Sequence, residues 1–223
     1  MIKMWTPRTA YAMSWEFFCP KPKGEKVMTQ SIYELIKEEL MQDPSNASYT
    51  ERGIEPLFSA PEAASFCVVG QAPGIRAEES MKYWNDKSGE RLRQWMGVSD
   101  ELFYESDIFA ILPMDFYYPG KAKTGDLPPR KEFAAEWHTR IFEALPNLQL
   151  TILAGSYAQN YYLKGRKYRN LTETVAHYQE YLPEFFPIVH PSPLNGRWLK
   201  RNEWFELEVV PELQQRVSEL ITP

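Results

Sequence analysis

A chain of 223 residues, 43% hydrophobic and 25% charged, is long enough for one sizeable core and has the balance of a globular domain. No apolar run approaches the roughly 20 residues of a membrane-spanning helix, and the N-terminus lacks the apolar centre of a signal peptide, so a cytoplasmic protein is expected. The net charge of −5 argues against broad, non-specific DNA binding but leaves room for a local basic face.

Residues 1–27 show no period and contain Pro7, Pro20, Pro22 and Gly24, which reads as an irregular extension with Met28 as an alternative start. Ile32, Leu35, Ile36 and Leu40 share one face of a helix predicted over 31–41, and Asp43-Pro44-Ser45-Asn46 stops it. Residues 1–57 are thus expected to form an extension with one helix, ahead of a domain over 58–223. Four apolar runs follow, at 66–69, 108–112, 148–153 and 186–189. Helical stretches at 89–96, 131–145, 157–163 and 172–181 lie between them, and a last helix over 204–221 is interrupted near Pro211. Continuous apolar strands alternating with helices predict a three-layer α/β/α sandwich around a four-stranded, mostly parallel sheet.

Two loops carry the chemistry. Gly70-Gln71-Ala72-Pro73-Gly74 leaves the first apolar run, and its glycines allow close backbone approach to a ligand. It has the spacing of neither a dinucleotide fingerprint nor a Walker loop. His190-Pro191-Ser192-Pro193-Leu194-Asn195 leaves the fourth run and sets a histidine between rigid prolines. In an open α/β sheet, loops at the carboxyl ends of strands form the ligand crevice, so these two can face each other across it. Two cysteines, Cys19 and Cys67, cannot supply a four-thiolate cluster, and the three histidines, His138, His177 and His190, are scattered. No metal and no cofactor are expected. Basic candidates lie at 164–169, at Arg197 with Lys200 and Arg201, and at Lys121, Lys123, Arg130 and Lys131, with a solvated surface as the plain alternative.

The paired loops resemble the uracil-DNA glycosylase superfamily over about residues 60–212. In its iron–sulfur class the first loop runs Gly-Glu-Ala-Pro-Gly, then through acidic residues and a Pro-Phe pair to a small residue and a glycine that open a helix. Here the spacing matches without a gap and ends at Ser88-Gly89. The resemblance implies that Gly70, Gln71, Ala72, Pro73 and Gly74 cradle an extruded base and that Trp84 stacks on it, the alternative being a core aromatic. It also implies that His190 donates to uracil O2 as charge builds on the leaving base, against the alternative of a buried structural histidine. Ser192 and the amides up to Asn195 would touch phosphate, with Leu194, Arg197 and Trp198 as wedge candidates and Lys121 and Lys123 as further DNA contacts.

The chain departs from that pattern in three places. The segment 113–121 lacks the asparagine that reads the uracil edge, and Asp115 is the candidate to face the pocket instead. Ala72 stands where some relatives carry an aspartate, which leaves Glu78 as the water-orienting carboxylate and Gln71 as a water-positioning amide, unless Glu78 and Glu79 are simply solvated. A Gly-Asp-Leu-Pro-Pro-Arg stretch at 125–130 replaces the cluster cysteines and is similar to a cluster-free branch of the superfamily. The resemblance implies a monofunctional DNA glycosylase acting on a damaged or deaminated base in base excision repair, uracil before others; no partner-binding helix stands out, so a monomer is expected. A damaged- or single-stranded-DNA-binding protein of the same fold, or a hydrolase of nucleoside N-glycosidic bonds, is the alternative.

Overall fold

The computed structural model describes residues 31–221 of the chain. The expectations placed on 1–27, Cys19 and Met28 lie outside the described residues.

Four strands, β1 (Phe66–Val69), β2 (Phe109–Ile111), β3 (Leu150–Ala154) and β4 (Phe185–Ile188), pair in the order β2-β1-β3-β4, every neighbour parallel. Each strand is buried along its whole length, which is why the four runs are apolar without alternation. Pro187 has no N–H to donate and sits in β4, an edge strand, where a missing donor is tolerated.

Side chains alternate between two cores. Cys67, Val69, Ala110 and Leu153 point to one, shared with α1 (Ile32–Gln42), α6 (Phe133–Glu143) and α7 (Ser156–Tyr162). Phe66, Val68, Ile111, Ile152 and Phe186 point to the other, shared with α4 (Lys87–Met96), α5 (Asp100–Glu105), α8 (Leu171–Ala176) and α10 (Val210–Ile221). This period-2 split across one sheet produces the three layers. Shorter helices complete the chain: α2 (Ala47–Thr50), α3 (Ile75–Ser80) and α9 (Gly196–Arg201). The interruption expected near Pro211 is a π-helical turn over Phe205–Val209 that runs straight into α10.

The stretch 31–57 does not behave as an extension. Ile36 and Leu40 are buried in the first core, and Arg140 of α6 makes two hydrogen bonds to the Glu39 carboxylate, at 2.6 and 3.0 Å. Ser31 caps α1 by accepting from the Glu34 amide at 3.2 Å. A boundary after residue 57 follows the change in sequence pattern, whereas the packing continues through it.

Candidate active site

A cavity of about 700 Å³ lies at the carboxyl ends of the strands, where the chain reverses its direction across the sheet between β1 and β3. All four strands feed it. The loop from Gly70 to Gly74 follows β1, Pro113 follows β2, Tyr157 follows β3, and His190 with Ser192, Leu194 and Asn195 follows β4.

Trp84 forms one wall of this cavity in an unusual conformation, with φ +53°. A bulky residue in the left-handed region costs about 1–3 kcal/mol and persists only where its surroundings hold it. Here the Trp84 carbonyl accepts from Arg93 Nη1 at 3.2 Å and from the Tyr104 hydroxyl at 3.0 Å. Arg93 is itself fixed by Asp100 at 2.6 Å. Helix α4 begins directly beneath, so closely that a Cβ on Gly89 would stand 1.7 Å from the Trp84 carbonyl oxygen. Gly89→Ala is therefore expected to push Trp84 and the start of α4 apart and to cost about 1–3 kcal/mol of stability. A thermal melt beside the intrinsic tryptophan emission spectrum of the two proteins checks this; an unchanged melt and spectrum would contradict it.

The His190 ring lies 5.7 Å from the Trp84 ring, tilted by 33°. Its Nδ1 accepts from the Ser192 amide at 3.2 Å, which leaves the proton of the neutral ring on Nε2. Burial drives the His190 pKa down to about 4, with the Asp86 carboxylate working in the opposite direction. The ring is thus a neutral Nε2–H donor at pH 7. Its loop is braced from three sides. Asn195 Nδ2 donates to the His190 carbonyl at 2.8 Å, and Arg91 of α4 reaches the Ser192 carbonyl at 3.2 Å. Behind the ring, Gly155 at φ +91° leaves room that a Cβ would take up, 3.1 Å from the His190 Cβ.

The structure brings Gly70, Gln71, Ala72, Pro73, Gly74, Trp84, His190, Ser192 and Asn195 to one cavity. Gln71 Nε2 donates to the Leu127 carbonyl at 3.3 Å, which turns its amide toward the hairpin at 119–127. Leu194 stands on the rim, 83% exposed. Asn195 spends its side-chain donor on its own loop.

Other expected residues lie elsewhere. Asp115 is fully buried, outside the cavity, and holds Arg130 through Nε at 2.7 Å and Nη2 at 2.8 Å. An aspartate so engaged has no face for a base edge, and the Asp115 expectation is corrected. Glu78 on α3 is not on the cavity wall either; its Oε2 is buried without a hydrogen bond, and desolvation raises its pKa against the pull of Arg52. Trp198 donates from Nε1 to Thr172 Oγ1 at 2.9 Å and packs edge-on against Phe205, so it is a packing residue, unable to serve as a wedge. Arg197 is exposed on α9, beyond the cavity wall. Lys121 pairs with Asp126 at 3.3 Å, and Lys123 is exposed on the same hairpin. In the basic stretch 164–169, Arg169 pairs with Glu173 at 3.3 Å and Arg166 with Glu184 at 3.6 Å.

The model of the uracil DNA glycosylase superfamily matches residues 57–214, most of the chain. The chain belongs to the uracil DNA glycosylase superfamily. Members of that superfamily hydrolyse N-glycosidic bonds.

An iron–sulfur cluster of the four-thiolate kind does not fit this member. Among the described residues Cys67 is the sole cysteine, buried within β1, and no group of three or more His, Cys, Asp or Glu is placed to hold a metal ion. The stretch at 119–127 is instead a hairpin closed by a bridge between Lys121 and Asp126. No helix among the described residues is long and apolar enough to cross a membrane.

Two functional side chains were missed in the sequence. Asp86 lines the cavity beside Trp84 and caps α4, accepting from the Gly89 amide at 2.9 Å. An aspartate three residues before the glycine of a helix start is an N-cap signal that could have found it. His138 is buried behind the site. Its Nε2 donates to the Pro113 carbonyl at 3.0 Å, while the Tyr162 hydroxyl donates to Nδ1 at 2.5 Å, and burial brings its pKa down to about 4. It fixes the turn that leaves β2, a role with no local sequence signal.

Proposed function

We propose that this protein is a monofunctional DNA glycosylase that extrudes a deaminated base, uracil first among them, and hydrolyses its N-glycosidic bond in base excision repair. The observation that carries the reading is the convergence of the Trp84 ring and the His190 Nε2–H on one cavity. An extruded base has lost its stacking partners, and an aromatic wall returns that contact. As the glycosidic bond breaks, the electron pair passes to the base, and a fixed donor at its carbonyl oxygen stabilises the resulting anion. Gln71 and the backbone of the first loop read the base edge in place of the absent asparagine, and Leu194 on the rim fills the gap left in the duplex. The protein acts as a monomer on DNA.

A second reading, damaged-base binding without cleavage, is favoured by one observation: Glu78 stands off the cavity wall. A labelled oligonucleotide carrying one uracil separates the two. The glycosylase reading expects alkali-labile breaks at the uracil, slowed roughly 5- to 100-fold in Trp84→Ala by the loss of one stacking contact. Tight, salt-dependent binding with no abasic product would support the binding reading. Intact uracil, hypoxanthine and xanthine in both single and double strands at excess enzyme would overturn the glycosylase reading.

A further inference from the structure

We propose that Asp86 is the catalytic carboxylate of this site, the group that orients the attacking water and faces the positive charge developing at the sugar C1′. The inference rests on the glycosylase reading above and assigns within it the one role that the expected residue does not fill.

Glycosidic hydrolysis needs a negative group near the sugar and an acceptor for the proton of water. Several acids flank this crevice in the sequence, and the structure separates them; Glu79, like Glu78, is not on the wall. Glu78 is off the cavity wall, and Asp115 is buried against Arg130. Asp126 is on the wall, but its Oδ1 is held by the Tyr118 hydroxyl at 3.2 Å and by Lys121 at 3.3 Å, on an exposed hairpin. Asp86 is on the wall with Trp84 and His190, on the rigid segment that the Trp84 carbonyl and α4 brace together. Its Oδ1 accepts from the Gly89 amide at 2.9 Å, while Oδ2 takes no hydrogen bond among the described residues. One oxygen therefore fixes the group and the other is free to bond water. The N-terminus of α4, ten residues long, favours negative charge at this position. The influence of Asp86 on His190 places the two groups in one electrostatic site.

The step balances as a hydrolysis. The C1′–N bond breaks and its electron pair leaves with the base, whose carbonyl oxygen meets the His190 Nε2–H. The water oxygen forms the new C1′–O bond and passes one proton to Asp86 Oδ2. That proton then leaves to the base anion or to solvent, and the products are free base and an abasic sugar.

A capping aspartate that does no chemistry is the competing explanation, and Asp86→Asn distinguishes the two. Asparagine caps as well as aspartate, so α4 keeps its bond to Gly89 while the charge disappears. In single-turnover excision from a uracil oligonucleotide, Asp86→Asn is expected to lose at least about 100-fold in rate. Its affinity for the same oligonucleotide and its melting temperature should stay at the wild-type values. Asp86→Ala in the presence of formate should regain part of the lost rate, because a small carboxylate can occupy the vacated position. Asp126→Asn and Glu78→Gln should cleave at close to the wild-type rate. Asp86→Asn cleaving as fast as an active wild type would overturn this inference and leave the glycosylase reading standing. So would a loss that tracks a lowered melting temperature and does not respond to formate. A wild type that cleaves nothing would overturn both.

Discussion

His190→Ala is expected to lower single-turnover base excision by roughly 100- to 1000-fold, the usual consequence of removing one preorganised donor to a developing anion. The nitrogen that carries the proton decides this effect. The Ser192 amide donates to Nδ1 at 3.2 Å, so the neutral ring must present its proton at Nε2, toward the cavity. Because the pKa is depressed to about 4, the donor is intact from neutral pH down to about pH 5, and the His190 contribution to the rate should be flat over that range. The same shift makes a stability statement. Between pH 6.5 and about 4 the unfolded chain takes up a proton at His190 that the folded chain refuses. More protons on the unfolded state mean that stability falls as pH falls through this window, by up to about 3 kcal/mol for this group. In His190→Ala that component is absent, so its urea midpoint should decline less than that of the wild type between pH 7 and pH 4.5. Parallel declines in the two proteins would show that the ring is not held neutral by burial.

Arg130→Ala is expected to cost about 3–5 kcal/mol of stability. Asp115 is completely buried and collects four hydrogen bonds: from Arg130 Nε and Nη2, from the Arg130 amide at 3.2 Å and from the Tyr117 amide at 3.1 Å. Arg130 also reaches back to Asn46 Oδ1 at 2.7 Å and so ties the segment after α1 to the turn after β2. Removing the guanidinium leaves Asp115 two backbone amide donors and no cation to offset its buried charge. For a domain of this size the melting temperature should fall by roughly 10 °C. Removing both charges at once in Asp115→Leu with Arg130→Met should restore much of the loss, because the penalty lies in the unpaired charge. Excision by the folded protein at 25 °C should survive in Arg130→Ala, since the pair lies outside the cavity. A melting temperature within a degree or two of the wild type would show that the pair contributes little. Loss of excision at full stability would return Asp115 to the site.

The sheet was legible because its strands are buried on both faces, so burial writes itself as continuous apolar runs that composition alone reveals. The crevice loops were legible for a different reason. Their glycines, their prolines and one histidine carry a backbone geometry and a chemistry that few other segments of the chain combine. The carboxylates were harder. Glu78, Asp86, Asp115 and Asp126 all stand near crevice loops in the sequence, and spacing alone does not say which way a side chain turns after a tight bend. The family's loop register points to Glu78, but the six-residue α3 carries it off the cavity wall. Asp86 stands just before the Ser88-Gly89 helix start, and its capping bond to the Gly89 amide fixes one of its oxygens.

The amino-acid sequence by itself determined the layer architecture, the superfamily and the two loops that meet at the sheet's carboxyl edge, since those depend on hydrophobic periodicity and on backbone-specific residues. Only the tertiary structure decided which charges are paired and which are free. Arg130 finds Asp115 fifteen residues away and Asn46 far earlier in the chain, while Asp86 keeps one oxygen without a partner among the described residues. Such pairings are long-range events whose partners are set by packing, because a buried charge is stable only against the particular neighbour that the fold brings to it.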